Sequence, residues 1–372
     1  MKTFTNARVF TGEHWLKNAT VAVAQHQIQT VAENRPLETG TTVVDLQGLC
    51  LAPALIDLQI YGGKGHLFNN EPTPECLQKT YEAVLEGGGA HFQITLSSVP
   101  YSLIWEGIAA CKAYWAAGGK GLLGLHLEGP YFNPEKRGAH PLKNIRQPTR
   151  EEVSTLIERG REVVTYITVA PEQFDDETLD LLLQSGIYVS AGHSNATFAQ
   201  AMHGFQQGID RATHLFNAMS PFQSRAPGMV GAVYTAKPWA SIIADGVHCD
   251  FAALRISKAL LGEKLFLITD AVTPSNSGDY RFRFAGDRYL DESGTLAGSS
   301  LTMWQAVKNV VNHAGIGLDE ALRMASTYPA QVAGQGHRLG RIEPAFEADF
   351  VLFDEGLNLK GVVIQGVEHF FT

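Results

Sequence analysis

"GLLGLHLEG" (121–129) sets four leucines around a single histidine, ends on a glutamate and stops at a glycine. An apolar run of this length bounded by glycines fits a strand buried on both faces, with its polar residues collected at the C-terminal end. Seven other stretches have the same form: "LAPALIDLQI" (51–60), "AHFQITLSS" (90–98), "VVTYITVAP" (163–171), "GIYVSAGHS" (186–194), "DRATHLFNA" (210–218), "ASIIADGVH" (240–248) and "KLFLITDAV" (264–272). Helical segments separate them. Thr149 and Glu152 make a capping-box pattern before "VSTLIERG", Pro74 stands at a first helical position, and Gly186 follows "DDETLDLLLQS" where a C-terminal glycine belongs. Eight buried parallel strands alternating with helices favour a (β/α)8 TIM barrel over an open sheet.

Outside this region the rhythm changes. Residues 1–50 read as short alternating strands ("ARVFTG", "ATVAVAQ", "QIQTVAE"), and "ADFVLFD" and "LKGVVIQGVEHFFT" return to that style at the other end. Both ends are therefore expected to join in one small β-sandwich domain. The expected division is 1–50 and 339–372 for that domain and 51–338 for the barrel.

The bulk properties exclude several classes. A net charge of -9 at pH 7 argues against nucleic acid and anionic membranes as partners. Any anionic ligand must be held by local groups. The four cysteines (Cys50, Cys76, Cys111, Cys249) are scattered without a Cys-x-x-Cys pair, so reduced thiols and a cytoplasmic setting are expected. No signal-peptide core and no membrane span is read from the chain.

Catalytic groups of a barrel lie at the C-terminal ends of its strands. Those ends carry Gln59 and Tyr61, Ser97, His126 and Glu128, Glu172, His193, His214, Asp245 and His248, and Asp270. Each alone is an ordinary structural residue; as a ring they converge on one mouth. Glu128, His193 and His214 offer a carboxylate and two imidazoles, the donor set of three-ligand catalytic zinc sites. A metal held there lowers the pKa of a bound water and polarises a carbonyl. Asp270 suits the proton-transfer role, taking the water's proton and passing it to a leaving amine. His140, in "KRGAH" (136–140), can donate a hydrogen bond to a carbonyl oxygen. Arg225 sits in a loop suited to phosphate, and "LAGSS" (296–300) reads as a small-residue turn before the helix "LTMWQAVKNVV".

The motifs "GLHLEGPYFNPEKRGAH", "VSAGHSNAT", "ATHLFNAMSPF", "RAPGMVGA", "IIADGVH", "LITDAV" and "GTLAGSSLTM", in this order, resemble the N-acetylglucosamine-6-phosphate deacetylases, a branch of the amidohydrolase superfamily. The resemblance covers nearly the whole chain. It implies removal of acetate from N-acetyl-D-glucosamine 6-phosphate in amino-sugar catabolism. The metal ligands would be Glu128, His193 and His214, with Asp270 as general base and acid and His140 polarising the acetyl carbonyl. Ala139, Asn217, Ala218, Arg225, His248, Leu296, Ala297 and Gly298 match positions that contact the phosphosugar. A homodimer with a shared active site is implied, in which Arg225, His248 or both serve the neighbouring subunit.

The sequence departs from the pattern at "PALID", at "PAFEADF" and at Tyr61. Members with His-x-His at the end of the first strand can hold two metals, and those with Gln-x-Asn hold one. Gln59 matches the second group and can hydrogen-bond a ligand or a bound water, whereas Tyr61 is expected only to fill volume. One divalent ion per chain is therefore expected, zinc first, with iron, manganese or cobalt compatible. Two alternatives stand beside this reading: a sister enzyme acting on N-acetylgalactosamine 6-phosphate, and a non-catalytic phosphosugar-binding protein.

Overall fold

The computed structural model describes residues 1–34 and 40–371. In chain order its principal strands are β1 Lys2–Phe10, β2 Trp15–Ala24, β3 Gln27–Glu33, β4 Thr42–Asp45, β5 Cys50–Pro53, β6 Leu55–Ile60, β7 Gly89–Leu96, β8 Leu122–Glu128, β9 Val164–Val169, β10 Tyr188–Ala191, β11 Arg211–Ala212, β12 Trp239–Ile243, β13 Leu265–Ile268, β14 Arg283–Phe284, β15 Arg288–Leu290, β16 Leu296–Ser299, β17 Phe350–Phe353, β18 Leu359–Ile364 and β19 Val367–Phe370. The chain forms two compact units. One holds Met1–Asp57, Ala83–His91 and the segment from Thr302 onward; the other holds Leu58–Glu82 and Phe92–Leu301.

In the first unit both chain ends share one hydrogen-bonded sheet, ordered β19-β18-β17-β5-β1-β2-β3, with β4 also on β1. The central pairing is antiparallel, with Leu352 opposite Leu51 and Phe350 opposite Pro53. Alternation along these strands sends Phe4, Val21, Ile28, Leu51, Phe350 and Leu352 into one apolar core. His91 Nε2 lies 2.8 Å from Asp349 Oδ2, and Gln365 N donates to Asp349 Oδ1 at 2.6 Å. Burial pulls Asp349 upward, but the His91 bond outweighs it and holds the carboxyl below its usual value.

The barrel strands run in the parallel order β13-β12-β11-β10-β9-β8-β7-β6. Closure between the first and last strands is made by Asp270 N donating to Gln59 O at 2.9 Å and Tyr61 N to Ala271 O at 3.0 Å. Every residue of β6 and β7 is buried, as a sheet covered on both faces requires. Each strand is followed in sequence by a helix, from Pro74–Glu86 after β6 to Met303–Asn312 after β13. The expected caps are in place. Thr149 accepts from Glu152 N, Pro74 opens its helix, and Gly186 takes φ +86°.

Two expectations about local structure need correction. The sixth strand is only Arg211–Ala212, because His214, Phe216 and Ala218 take left-handed backbone at φ +34°, +78° and +51° and end the ladder. "LAGS" is a strand rather than a turn: β16 pairs antiparallel with β15 and bridges Ala271 through Ser299. The register brings β16 so close to strand eight that a Cβ on Gly298 would stand 2.9 Å from the Asp270 carbonyl oxygen. Only glycine allows that approach.

Candidate active site

Three donor atoms meet at the mouth of the second unit. Glu128 Oε1 lies 3.3 Å from His193 Nε2 and 3.0 Å from His214 Nε2, and the two imidazole nitrogens are 3.1 Å apart. Ligands about 2.0–2.1 Å from a tetrahedral zinc stand about 3.3 Å from one another. The triangle therefore has the dimensions of one face of such a site, and its chemistry of one carboxylate and two imidazoles suits a divalent cation.

The protonation of the triangle follows from its surroundings. His193 Nδ1 is 2.8 Å from Lys136 O, an acceptor only, so Nδ1 carries the proton and Nε2 keeps its lone pair for the site. Burial lowers His193 to about 4, so the ring is neutral. Its plane stacks on Phe132 with centroids 4.1 Å apart, which fixes its rotation. Burial would raise Glu128, but the hydrogen bond from His140 Nε2 and the neighbouring imidazoles of His193 and His214 hold it well below the carboxylate range. Burial pulls His214 down, and the facing Glu128 carboxylate more than offsets this, leaving it raised.

His140 has the opposite tautomer. Ser98 N donates to its Nδ1 at 3.1 Å, so the proton sits on Nε2, which points at Glu128 Oε2 from 3.1 Å. His140 Nε2 is thus a hydrogen-bond donor directed into the site. Asp270 faces the triangle from the end of strand eight, and burial followed by the nearby Glu128 charge raises its carboxyl to about 7. That value suits a group that both accepts and returns a proton near neutrality. His193, His214 and Asp270 all lie in left-handed backbone, at φ +48°, +34° and +55°.

Tyr61 does more than fill volume. Its hydroxyl donates to Glu128 Oε2, and Gln59 Nε2 lies 2.9 Å from Glu128 Oε1 and 2.8 Å from Asp270 Oδ1. The two side chains tie both carboxylates together from the end of strand one.

A cavity of about 750 Å³, counting its open mouth, surrounds these groups. Ala139, Asn217, Ala218, His248, Leu296, Ala297 and Gly298 all line it. Arg225 does not: it is exposed on the loop after strand six. Asp245 sits behind His248, its Oδ2 2.6 Å from His248 Nδ1, which leaves Nε2 as the other ring nitrogen. Two members of the expected ring have structural roles. His126 is buried between Leu58 O at 3.2 Å and Thr168 Oγ1 at 2.8 Å, and burial lowers it to about 4. Glu172 accepts from Ser194 Oγ and Asn195 N, both at 2.7 Å, anchoring the loop that carries His193. Asn69, Val272, Tyr280 and Phe282 also line the cavity and went unseen in the sequence. Val272 ends the run "KLFLITDAV" as an apolar residue with no polar signal, and the other three lie beyond the strand runs, where no pattern points to them.

The fold and the site define a barrel hydrolase whose carboxylate and imidazole cluster is compatible with a divalent metal ion, and residues 50–368 match the amidohydrolase family, to which the chain belongs. Residues 1–51 match the NagA composite domain. The chain is 36% identical over 371 residues to the N-acetylglucosamine-6-phosphate deacetylase of Haemophilus influenzae, with 97% of each chain covered. It is 33% identical to the N-acetylgalactosamine-6-phosphate deacetylase of Escherichia coli O157:H7, covering 96% of this chain and 97% of that one. The crystal structure of N-acetylglucosamine-6-phosphate deacetylase from Pasteurella multocida superposes with a TM-score of 0.95 at 33% identity, covering 100% of both chains.

Proposed function

We propose that this protein hydrolyses the acetamide of N-acetyl-D-glucosamine 6-phosphate to acetate and D-glucosamine 6-phosphate. The observation that carries the reading is the Glu128, His193 and His214 triangle, with Asp270 and the His140 Nε2 proton facing it in one cavity. Those three residues would hold one divalent ion, zinc first, which when bound would lower the pKa of water and polarise the acetyl carbonyl. Asp270 takes the proton of the attacking water as the new carbon–oxygen bond forms. His140 Nε2–H donates to the oxygen that gains charge. Asp270 then gives its proton to the amine nitrogen as the carbon–nitrogen bond breaks, which returns the carboxylate. Gln59 and Tyr61, donating to Glu128, keep its oxygens in register and fill the place a second cation would need, so one ion per chain is the expected content.

Asn217, Ala218, His248 and Leu296–Gly298 form the wall that receives the phosphosugar. Arg225, exposed on its loop, is assigned to the phosphate site of a second copy in a homodimer. The four cysteines are free and buried, in keeping with a reduced cytoplasmic setting. No helix among the described residues is long and apolar enough to cross a membrane.

The test is metal content per chain together with acetate release from the glucosamine and galactosamine phosphosugars on one sample. Faster turnover of the galactosamine epimer moves the assignment to the sister activity. No release from either by metal-loaded protein refutes the reading.

A further inference from the structure

One end of the cavity has no part in the chemistry above. It is built by Asn69, Ser97, Tyr280 and Phe282, all buried. Asn69 and Ser97, from the loops after strands one and two, satisfy each other: Ser97 N donates to Asn69 Oδ1 at 3.0 Å and Asn69 Nδ2 to Ser97 Oγ at 2.9 Å. Tyr280 arrives from the segment after strand eight. It is 2% exposed, its hydroxyl donates to Ser98 O at 2.7 Å, and its ring stands edge-on to His140 and Phe282 at 6.2 and 5.9 Å between centroids.

The segment bearing Tyr280 is held firmly. Asn70 Nδ2 sits within 2.8 Å of Ser275 Oγ, 2.7 Å of Ser277 O and 2.8 Å of Tyr280 O. Gly278, at φ +69°, passes so close over this amide that a Cβ would stand 2.3 Å from Asn70 Oδ1. One side chain after strand one thus fixes three points of the segment after strand eight, and Tyr280 enters the cavity as a rigid wall.

The position of this wall relative to the reacting groups decides what it meets. Asn217 and His248 follow strands six and seven, whereas Ser97 and Asn69 follow strands two and one, across the mouth of an eight-stranded barrel. A planar amide with its oxygen on His140 Nε2 and its nitrogen toward Asp270 sends its two substituents in opposite directions. With the sugar on the side of strands six and seven, the acyl chain faces Tyr280.

We infer that Tyr280, backed by Phe282, is the specificity-determining residue for the acyl group and limits it to the length of acetyl. The inference rests on the deacetylase reading above. A pocket that discriminates one added methylene does so by about ten- to two-hundredfold.

The experiment offers N-acetyl- and N-butyrylglucosamine 6-phosphate in competition to the metal-loaded wild type and to Tyr280→Phe, Tyr280→Leu and Tyr280→Ala, reading the ratio of kcat/KM. Because both substrates share one tube, the ratio does not depend on how much of a variant is folded. Wild type and Tyr280→Phe are expected to prefer acetyl by about tenfold or more, and the Leu and Ala variants to shift toward butyryl by about tenfold or more. Should Tyr280→Ala fail to fold, the Leu variant decides. A ratio within about twofold of wild type in the folded small variants, or a wild type indifferent to acyl length, overturns the inference and leaves the deacetylase reading intact. A wild type that cleaves neither substrate refutes that reading and this inference with it.

Discussion

Replacing Tyr61 by phenylalanine removes one oxygen atom from a buried site and leaves the ring in place. The hydroxyl donates to Glu128 Oε2, and Tyr61 is 5% exposed, so no bulk water can take its place. A hydrogen bond to a charged acceptor contributes about 1.5–3 kcal/mol. His140 Nε2, 3.1 Å from the same oxygen, remains as a donor, which puts the loss at the lower end of that range. With a tenfold change for each ~1.4 kcal/mol, and second-layer partners of metal ligands typically worth about 10- to 100-fold in metal affinity, Tyr61→Phe should bind its ion about tenfold more weakly. The measurement is chelator competition for zinc or cobalt, with stoichiometry read on the same samples. Wild type and variant should both hold one ion, and only the dissociation constant should move. An affinity within about threefold of wild type would show that the hydroxyl does not organise Glu128, and two tightly held ions in the wild type would sink the one-metal reading.

Asp270→Asn, which cannot shuttle a proton, should lower kcat by about 10²- to 10⁴-fold while metal content stays at one ion per chain; near-normal turnover would remove Asp270 from the mechanism. Asp245→Asn leaves an oxygen beside His248 Nδ1 but removes its charge, and at about 0.5–1.5 kcal/mol for the difference between a charged and a neutral acceptor KM for the phosphosugar should rise about two- to tenfold with kcat least affected. Asp349→Asn should cost about 1–3 kcal/mol of stability at pH 7. The folded carboxyl is held below its usual value, so its contribution is complete above the unfolded pKa of about 3.9 and is lost as pH falls toward the depressed one. Denaturation midpoints should therefore converge between wild type and variant on acidification below about pH 4, and a constant gap would refute the assignment.

The barrel was legible because its strands are buried on both faces and so read as largely apolar runs, as "LFLI" (265–268) and "SIIA" (241–244) do. The triangle was legible because its members end three such runs. Tyr61 was misread, since position in a strand says which way a side chain points but not which oxygen its hydroxyl meets. The sixth strand was overestimated because "ATHLF" has the composition of a strand, while the positive φ at His214 leaves no trace in composition. Tyr280 and Phe282 were missed for a related reason: they enter the cavity on a segment placed by the amide of Asn70, a contact spanning 210 residues for the Tyr280 carbonyl. Nothing local in "SNSGDYRFRF" announces that clamp. Glu172 and His126 show the converse, polar residues in the right place whose hydrogen bonds make them supports.

His193, His214 and Asp270 occupy backbone conformations that cost a residue with a Cβ about 1–2 kcal/mol each and that glycine adopts freely. A chain selected for folding alone would gain by placing glycine or asparagine at all three. Other non-glycine residues, such as Glu162 and Leu357, hold the same backbone, but these three do so while presenting their side chains to one site. Glycine at these positions would relieve that backbone and empty the site of its donors and acceptors at once.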